Sequence, residues 1–429
     1  MRPRWSNKFD PTIMGMTGER KDLEAVFRAG LSAVHGSRCV AAYLEKNPLD
    51  SRTCVVAIGK AASAMATGAL QALGEQFYSG FLVSRDGHID PAHLQDARFA
   101  CMEAGHPVPD ARSLQAGDRL CRFLETVPAD AGILFLISGG ASSLVEVLPE
   151  STGLEQLQQL NHWLIASGLD ITAINRVRRC VSRIKGGGLV KYLQGRKATV
   201  LLISDVAGDD PSIIGSGLLY RGISPGVTGL DLPGWVLKMT DSGSHMPAPA
   251  ASNHGQIAHH VVASLDLALQ AAARKGRELG YSTRIMDEPL EGEAADAGAC
   301  LVEQLRDSQA GLYLWGGETT VTLPANPGKG GRNQQLALAA ACAMVDGDTI
   351  VLLSAGTDGT DGSTLAAGAV VDPATITRGA AAGRLDCGQC LKKADSGSYL
   401  EACGDLFVTG PTGTNVTDMV IGIKLDENL

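Results

Sequence analysis

The sequence lacks any uninterrupted apolar run of the roughly 18 residues that a membrane-spanning helix requires. Its first residues, MRPRWSNKFDPTIMG, contain no apolar segment of the kind found in secretory signal peptides. Positive charge is also scarce, because 37 lysines and arginines stand against 46 aspartates and glutamates, for a net charge of −9. We therefore expect a cytoplasmic protein that binds neither a membrane nor nucleic acid.

Paired cysteines and several catalytic motifs are missing as well. The ten cysteines form no regular framework. The one close pair, in CGQC at residues 387–390, has no second pair at the spacing of a zinc finger, so we interpret it as structural and expect reduced thiols. We find no Walker A loop, no G-x-G-x-x-G, no zincin motif and no kinase H-R-D. Glycine, by contrast, is abundant at 52 of 429 residues, which predicts many sharp turns and close backbone approaches.

Five short apolar runs are each followed by small or acidic polar residues. They are TCVVAIGK from residue 53, GILFLISGG from 132, TVLLISDVAGDD from 199, GLYLWGGET from 311 and TIVLLSAGTDG from 349. Such runs predict strands that are buried on both faces. Intervening segments have helical periodicity, as in residues 253–276, where one face of a predicted helix capped by Asn253 carries Ile257, Val261, Leu265, Ala268 and Ala272.

The alternation of strands and helices predicts an α/β fold with largely parallel sheets. A stretch rich in Pro, Ser and Gly, MTDSGSHMPAPAASN at residues 239–253, separates two periodic blocks. We therefore predict two domains, residues 1–238 and 239–429. Because open α/β sheets bind ligands at the carboxyl ends of their strands, the polar residues that follow the apolar runs are the candidate site residues.

Lys60 directly follows the first apolar run and precedes a stretch of small residues, AASAMATG. A helix that begins here would offer backbone N–H groups and the positive end of its dipole to a phosphate or carboxylate. The small side chains would let such an anion come close. The alternative is an ordinary surface lysine in a loop.

Two further strand ends carry polar residues of different kinds. After the second run, Ser138, Gly139, Gly140 and Ser142 predict a nest of anion-binding groups, although Gly-Gly turns are also common. After the third run, Asp205 and the nearby Asp209 are candidates to hold Mg²⁺ or to orient a hydroxyl, while capping of a turn is the alternative.

The second half of the chain adds glycine-rich polar segments that contain charged residues. Arg332 precedes an apolar helix pattern, and a guanidinium there indicates that an anion joins it. The loop around residues 354–362 carries two carboxylates three residues apart, which would bind a divalent ion through water or simply form a turn. The remaining binding candidates are Lys185, Gly317, Glu318, Gly331 and Asp358. Cations, carboxylates and glycine loops at strand ends together predict phosphoryl transfer, which needs positioning and charge stabilisation more than a covalent nucleophile.

The chain resembles the class II glycerate kinases, the glycerate 2-kinases of the tartrate-degradation type that end in a MOFRL domain. The resemblance runs from about residue 20 to the end. The segments that carry it, in chain order, are GKAASAMA, GHPVPDARSLQAG, LISGGASSL, INRVRRCVSRIKGG, ISDVAGDDPSIIGSG, WGGETTVTL, GKGGRNQQLALAAA, LLSAGTDGTDGSTLAAGAVVD and GDLFVTGPTGTNVTD.

The resemblance implies ATP-dependent phosphorylation of D-glycerate at its 2-hydroxyl with Mg²⁺, and two α/β domains, the first Rossmann-like, with the active site in the cleft between them. The family's essential lysine, aspartate and arginine match Lys60, Asp205 and Arg332. Lys60 would neutralise a transferring phosphate or hold the glycerate carboxylate. Asp205 would accept the proton of the 2-hydroxyl or bind Mg²⁺, and Arg332 would clamp a carboxylate or the γ-phosphate.

Three segments depart from the family pattern, which usually reads SGGGSAL, KGGRLA and ASGPTVPD. Here the chain has SGGASSL, KGGGLV and, at residues 215–221, GSGLLYR. A kinase of another small hydroxy acid is therefore one alternative. A hydroxypyruvate reductase that uses NAD(P)H is another, against which the missing dinucleotide motif argues, and a non-catalytic nucleotide-binding protein is a third. The expected partners are the small-molecule substrate and a second copy of the chain in a homodimer.

Overall fold

The computed structural model describes residues 16–169, 171–220, 226–243, 256–383 and 386–426. In these ranges the chain forms two six-stranded sheets. Their strands are, in chain order, β1 (Thr53–Ile58), β2 (Phe77–Arg85), β3 (Phe99–Ala104), β4 (Gly132–Ile137), β5 (Ala198–Ile203), β6 (Ile257–Ala263), β7 (Thr283–Ile285), β8 (Gly311–Gly317), β9 (Ile350–Gly356), β10 (Gly368–Val371), β11 (Leu406–Phe407) and β12 (Asp418–Lys424).

Helices flank both sheets. None of them, in the part of the chain that the structure describes, is long and apolar enough to cross a membrane. They are α1 (Thr17–Ala33), α2 (Gly36–Lys46), α3 (Ala62–Leu73), α4 (Pro91–Gln95), α5 (Ala111–Thr126), α6 (Ala141–Leu144), α7 (Leu154–Ala166), α8 (Ile171–Cys180), α9 (Gly234–Gly243), α10 (Leu265–Glu278), α11 (Ala294–Asp307), α12 (Arg332–Ala343), α13 (Thr375–Gly383), α14 (Cys387–Lys392) and α15 (Ser396–Cys403).

The chain divides into two units. We call the first the parallel unit, which comprises Val34–Ser264 together with Gly413–Val416. We call the second the mixed unit, which comprises the described residues up to Ala33, Leu265–Thr412 and those from Thr417 onward. Each unit has its own apolar core, built around its own sheet.

The sheet of the parallel unit is entirely parallel and has the strand order β3-β2-β1-β4-β5-β6. The three apolar runs predicted as strands in this part of the chain form β1, β4 and β5, and every residue of β1 is buried. Because the strand order reverses its direction between β1 and β4, the ends of these two strands form the switch point where open α/β sheets bind ligands. The prediction of a Rossmann-like α/β domain is confirmed.

The sheet of the mixed unit has the order β11-β10-β9-β12-β8-β7. The two predicted strands here, β8 and β9, are present. However, only β7 and β8 pair in parallel, and the other neighbours are antiparallel. The expectation of a largely parallel sheet therefore fails in this unit, because β12 returns from the end of the chain and inserts antiparallel between β8 and β9.

The prediction of a single helix over residues 253–276 is wrong. Ile257 and Val261 lie on strand β6, which extends the parallel sheet beside β5, and only Leu265, Ala268 and Ala272 lie on helix α10. The apolar spacing fits both patterns, and pairing with a neighbouring strand decided the outcome. The predicted N-cap Asn253 and residues 244–253 of the proposed linker, 239–253, lie outside the described residues, and residues 239–243 form the end of α9.

The division into units also differs from the predicted domains, 1–238 and 239–429. Strand β6 belongs to the parallel sheet, so the parallel unit continues to Ser264. At the other end, α1 packs on α10, β9 and β12 of the mixed unit. Arg20 of α1 reinforces this packing with ion pairs to Asp372 at 2.7 Å and Asp405 at 2.6 Å. Both carboxylates are buried, and Arg378 binds them as well.

We predict that Arg20→Ala lowers the free energy of unfolding by about 2–4 kcal/mol, because two buried carboxylates lose one of their two cations. Burial opposes ionisation of Asp372, but Arg378 and Arg20 hold its pKa below the ordinary 3.8. This stabilisation is therefore present above pH 4 and is lost as the pH falls further. Urea unfolding followed by circular dichroism measures the effect. Lys21→Ala, an exposed residue of the same helix, serves as the control, and equal midpoints for both variants would refute the role of Arg20.

Candidate active site

Lys60 lies in the tight connection between β1 and α3. Gly59 has a φ of +132°, and a Cβ there would lie 2.2 Å from the Oγ of Ser138 in the loop after β4. The two loops are joined by hydrogen bonds from the Lys60 N–H to the Gly139 carbonyl at 2.9 Å and from the Ala61 N–H to Ser138 Oγ at 3.0 Å. Glycine at position 59 is therefore needed for the loops to meet, and the meeting fixes the backbone of Lys60.

Helix α3 begins at Ala62, as the sequence predicted, but its small residues have a structural reason that the sequence did not reveal. A Cβ at Gly68 would lie 2.2 Å from the carbonyl oxygen of Ser37 on α2. Helices α2 and α3 thus pack with their backbones nearly in contact. The small side chains after Lys60 serve this packing, whether or not they also admit an anion.

Gly139 and Gly140 lie at the centre of a group of polar side chains. A Cβ at Gly139 would lie 1.9 Å from Nδ2 of Asn415 and 2.0 Å from Oδ2 of Asp205. Gly140 has a φ of +86°, and a Cβ there would lie 2.9 Å from the ring of His106 and 3.3 Å from Cγ of Lys60. The glycine loop after β4 therefore brings together residues from the ends of β1, β3 and β5 and from the short segment Gly413–Val416.

Asn415 belongs to this site although it was not among the candidate residues chosen from the sequence. It is buried, and its amide donates a hydrogen bond to Oδ2 of Asp205 at 3.2 Å. Asp205, which follows β5, is partly exposed. No local pattern could have revealed this pair, because its members are 210 positions apart. The TGTN sequence after a glycine-rich stretch was the one available signal.

The hydroxyls predicted to bind an anion have partners within the protein. Ser138 is buried and accepts from the Ala61 N–H, and Ser142 Oγ lies 2.8 Å from Ser216 Oγ. By contrast, the backbone N–H groups of Gly139 and Gly140 donate to no group among the described residues. Consecutive N–H groups with one residue in the left-handed region form an anion-binding nest. In this loop we therefore expect the backbone amides of Gly139 and Gly140, and not the hydroxyls, to bind an anion.

Lys185 does not lie in this group. It is 5% exposed, and its ammonium forms an ion pair with Glu146, which is fully buried. Burial lowers the pKa of Lys185, while Glu146 opposes that shift. Since the protein itself neutralises this cation, the structure does not favour the predicted contact between Lys185 and a ligand.

Arg332 is the first residue of α12, in the mixed unit, at the helix N-terminus that the sequence predicted. Its guanidinium pairs with buried Asp418, where Nη2 lies 2.9 Å from Oδ1, and with the exposed Glu318 at 2.9 Å. Burial disfavours the cation, but Asp418 and Glu318 raise the pKa of Arg332. The anion expected beside this arginine is thus supplied at least in part by the chain, and Glu318 binds Arg332 directly.

The other candidates of the mixed unit have structural partners. Gly317 approaches Leu290, whose carbonyl oxygen would lie 2.2 Å from a Cβ at position 317. Gly331 approaches Asp361 in the same way, because a Cβ at position 331 would lie 2.3 Å from Oδ1 of Asp361. Asp358 accepts hydrogen bonds from the N–H of Thr360 at 2.9 Å and from its hydroxyl at 3.0 Å. The turn interpretation of this loop is therefore supported.

Metal ligands are sparse in the structure. The described ranges include no group of three or more His, Cys, Asp or Glu side chains that could hold a metal ion. Asp209, the second predicted ligand, lies in the turn after β5 with a φ of +53°. Cys390 packs into the apolar core of the mixed unit and Cys387 lies against it, in agreement with the structural interpretation of that pair.

Comparison with known proteins adds independent information. Residues 22–225 match a family described as a domain of unknown function, DUF4147, and residues 311–418 match the MOFRL family. The D-glycerate 2-kinase of Thermotoga maritima is 35% identical over 97% of this chain and 99% of its own length. The crystal structure of glycerate kinase from Thermotoga maritima has a TM-score of 0.81 and 34% identity, and the match covers 95% of this chain and all of that one. A protein of Agrobacterium vitis, 36% identical over 93% of both chains, carries the provisional name hydroxypyruvate reductase.

Asp361 provides a test of the environment around Arg332. It caps α12 by accepting from the N–H groups of Asn333 at 3.1 Å and Gln334 at 2.8 Å, and burial raises its pKa to about 6. A raised pKa means that its contribution to stability is present below the ordinary 3.8 and is lost as the pH rises through about 6. We predict that wild-type stability falls between pH 4 and 6, relative to Asp361→Asn, by up to about 3 kcal/mol.

Urea unfolding of the two proteins at half-unit pH steps measures this difference. Asparagine loses one capping bond at every pH, so the diagnostic result is the slope of the difference and not its mean. Parallel stability curves would show that Asp361 does not titrate in this range.

Proposed function

The chain belongs to the class II glycerate kinase family, and we propose that it transfers the γ-phosphoryl group of ATP to the 2-hydroxyl of D-glycerate, giving 2-phosphoglycerate and ADP. The observation that carries the proposal is the arrangement at the ends of β1, β4 and β5, where Lys60, Gly139 and Asp205 come together. A cation, two amide donors and a carboxylate are what the transfer of a highly charged group between two oxygens requires.

Lys60 would act on the anionic groups of the substrates. Its backbone is fixed by the loop after β4, and its side chain lies beside Gly140. An ammonium held beside two amide donors would stabilise the negative charge on the transferring phosphoryl group or hold the glycerate carboxylate. This role supports the carry-over of the family's essential lysine.

Asp205 would act as the base that accepts the proton of the 2-hydroxyl. Asp205 follows β5, which pairs with β4 and β6, and the hydrogen bond from Asn415 orients its carboxylate. Asn415 is therefore a positioning residue, which acts through Asp205. As the proton moves to the Asp205 carboxylate, the 2-hydroxyl oxygen of the substrate would attack the γ-phosphorus, and the bond from that phosphorus to the β–γ bridging oxygen would break to release ADP.

Mg²⁺ is proposed as the metal that accompanies ATP. Mg²⁺ is usually bound by one or two carboxylates together with substrate phosphates and water. Asp205 supplies a carboxylate oxygen of this type at the site. When bound, Mg²⁺ would neutralise phosphate charge. Asp209 stays a candidate for a second carboxylate.

Arg332 is proposed to contribute a second cation, by clamping a carboxylate or phosphate that approaches α12. Its ion pairs with Asp418 and Glu318 hold the guanidinium fork in one orientation, which favours bidentate binding. Because Asp418 is buried and has Arg332 as its counter-ion, substitution of Arg332 would change stability and activity together. Substitution of Lys60 therefore tests activity more directly.

Two alternatives differ in the reaction that they predict. A kinase of another small hydroxy acid is favoured by the departures at residues 215–221, of which Arg221 lies outside the described residues. A reductase is named for the Agrobacterium vitis relative, but β1 is followed by Gly59-Lys60-Ala61 instead of a dinucleotide-binding glycine motif. The cytoplasm as compartment and a homodimer as assembly are also proposed, and light scattering after size exclusion tests the latter.

The experiment that tests the proposal measures ADP release with Mg-ATP and each of D-glycerate, L-glycerate, other small hydroxy acids and glycerol. We expect turnover with D-glycerate and none with glycerol, which lacks the carboxylate. A parallel assay follows NADH oxidation with hydroxypyruvate. Turnover in that assay, without ADP release in the first, would overturn the kinase proposal.

We predict that Lys60→Ala lowers kcat/KM by ~10²-fold or more, as loss of a preorganised charge does, with little change in thermal stability. The matched control is Lys46→Ala, an exposed lysine at the end of α2 in the same unit. Steady-state kinetics of ADP release measure both variants. Kinetics of Lys60→Ala that equal those of the control would remove Lys60 from the mechanism.

We predict that Asn415→Asp shifts the acid limb of the kcat/KM profile upward by about one pH unit or more, because a second carboxylate beside Asp205 raises its pKa. Asn415→Ala should lower kcat with a smaller shift. The pH profile, measured with saturating ATP, separates this role from a purely structural one. An unchanged acid limb in Asn415→Asp would contradict the assignment of Asp205 as base.

A further inference from the structure

We propose that Arg178, on helix α8, binds an oxyanion of the substrates, either the carboxylate of the hydroxy acid or a phosphate of the nucleotide. The inference rests on the proposed function for the identity of these ligands. It deepens that function by adding a binding residue to the parallel unit, to which both Arg178 and the glycine loop belong.

Glu146, the acidic residue whose charge acts on Arg178, is already engaged by other partners. The carboxylate is fully buried. One oxygen accepts from the hydroxyl of Ser182 at 2.5 Å and from the N–H of Val147 at 3.0 Å, and the other pairs with the ammonium of Lys185. Glu146 is therefore neutralised by Lys185 and satisfied by two further donors.

The guanidinium of Arg178 has no such partner. Among the described residues it forms no ion pair or side-chain hydrogen bond, and its Nε is a buried donor without an acceptor. Burial lowers the pKa of Arg178, and the charge on Glu146 offsets only part of this shift. Arginine nevertheless remains protonated in proteins. Two cations, Arg178 and Lys185, thus face one carboxylate, and one positive charge is left without compensation.

The neighbouring arginines of α8 differ from Arg178, because each of them donates at least one hydrogen bond, although the Nε of Arg179 is also a buried donor without an acceptor. On the same helix, Arg176 donates to the carbonyl oxygens of Gly226 at 2.7 Å and Thr228 at 2.9 Å. The guanidinium of Arg179 donates to the carbonyl of Ser212. These two side chains tie α8 to nearby loops, whereas Arg178 makes no comparable contact among the described residues.

Polar side chains connect helix α8, which carries Arg178, to the glycine loop. Asn175, one turn earlier on α8, accepts a hydrogen bond from Ser216 Oγ at 3.0 Å, and Ser216 Oγ lies 2.8 Å from Ser142 Oγ. Ser142 is two residues after Gly140. Because residues three apart share a helix face, the face that carries Arg178 is joined to the loop through this chain of polar side chains.

An oxyanion is the ligand that such a group requires. A guanidinium presents a planar fork that matches a carboxylate or a phosphate through two parallel hydrogen bonds. Arg178 is partly buried and its Nε is fully buried, so a cation without a counter-ion there is unfavourable until a partner arrives. Arg178 should therefore cost stability in the unliganded protein and recover it when substrate binds.

The experiment uses the full-length chain and two variants, Arg178→Met, which keeps the length of the side chain and removes its charge, and Arg176→Met as the matched control. Thermal unfolding is measured without ligand and with D-glycerate, glycerol, ATP or inorganic phosphate, and calorimetry gives the dissociation constants. Arg178→Lys tests whether charge without the fork restores binding in part.

We expect Arg178→Met to unfold at the same temperature as wild type or higher when no ligand is present, while its affinity for one anionic ligand falls about 10²-fold. Loss of D-glycerate binding alone identifies the carboxylate, and loss of ATP and phosphate binding identifies a phosphate. Arg176→Met should show the reverse pattern, with lower stability and unchanged affinities. Glycerol should stabilise none of the proteins.

Arg178→Met with wild-type affinity for every anion would overturn the proposal, as would a drop in its unliganded stability without any loss of affinity. Both outcomes leave the proposed kinase function intact, because that function is tested by turnover of the wild-type chain. If wild type neither binds nor phosphorylates D-glycerate, the kinase proposal fails. The ATP and phosphate measurements still decide whether Arg178 binds an anion.

Discussion

The close approach of two loops at the ends of β1 and β4 is the constraint on which the candidate site depends. No Cβ fits at Gly59 or Gly139, because Ser138 fills the first position and Asp205 with Asn415 fills the second. Since these loops touch through backbone, the side chains around them are placed by strands buried in the core instead of by flexible contacts. Preorganisation of this kind is what charge stabilisation in catalysis requires.

The distribution of partners among buried charges distinguishes structural roles from functional ones. Lys185, Arg20 and Arg378 each meet carboxylates within the chain. Arg332 does so as well, although it is partly exposed and can accept a further anion. Arg178 is the exception that we interpret as a ligand-binding residue, because Glu146 is already satisfied. A buried charge therefore indicates a ligand-binding role only when its partners within the chain have been counted.

Much of the parallel unit was predictable from the sequence, because strands buried on both faces leave continuous apolar runs such as Val55–Ile58, and ligands bind where such strands end. Lys60 and Asp205 were proposed as site residues in this way. Asn415 was not, since its contact with Asp205 spans 210 positions. Lys185 was predicted to bind a ligand, and its ion pair with Glu146 was not predictable, because Glu146 lies in a segment without a motif. The antiparallel insertion of β12 and the strand at Ile257–Ala263 depended on pairing between distant segments, which periodicity does not encode.

The central claim is that the parallel unit directs phosphoryl transfer to the 2-hydroxyl of glycerate, and the ³¹P NMR spectrum of the product tests it most directly. Purified protein, Mg-ATP and D-glycerate are incubated together, and the spectrum is compared with those of the two phosphoglycerates. The account predicts 2-phosphoglycerate and ADP in equal amounts. Appearance of 3-phosphoglycerate would contradict the placement of the 2-hydroxyl at Asp205, and absence of any transfer would contradict the kinase assignment itself.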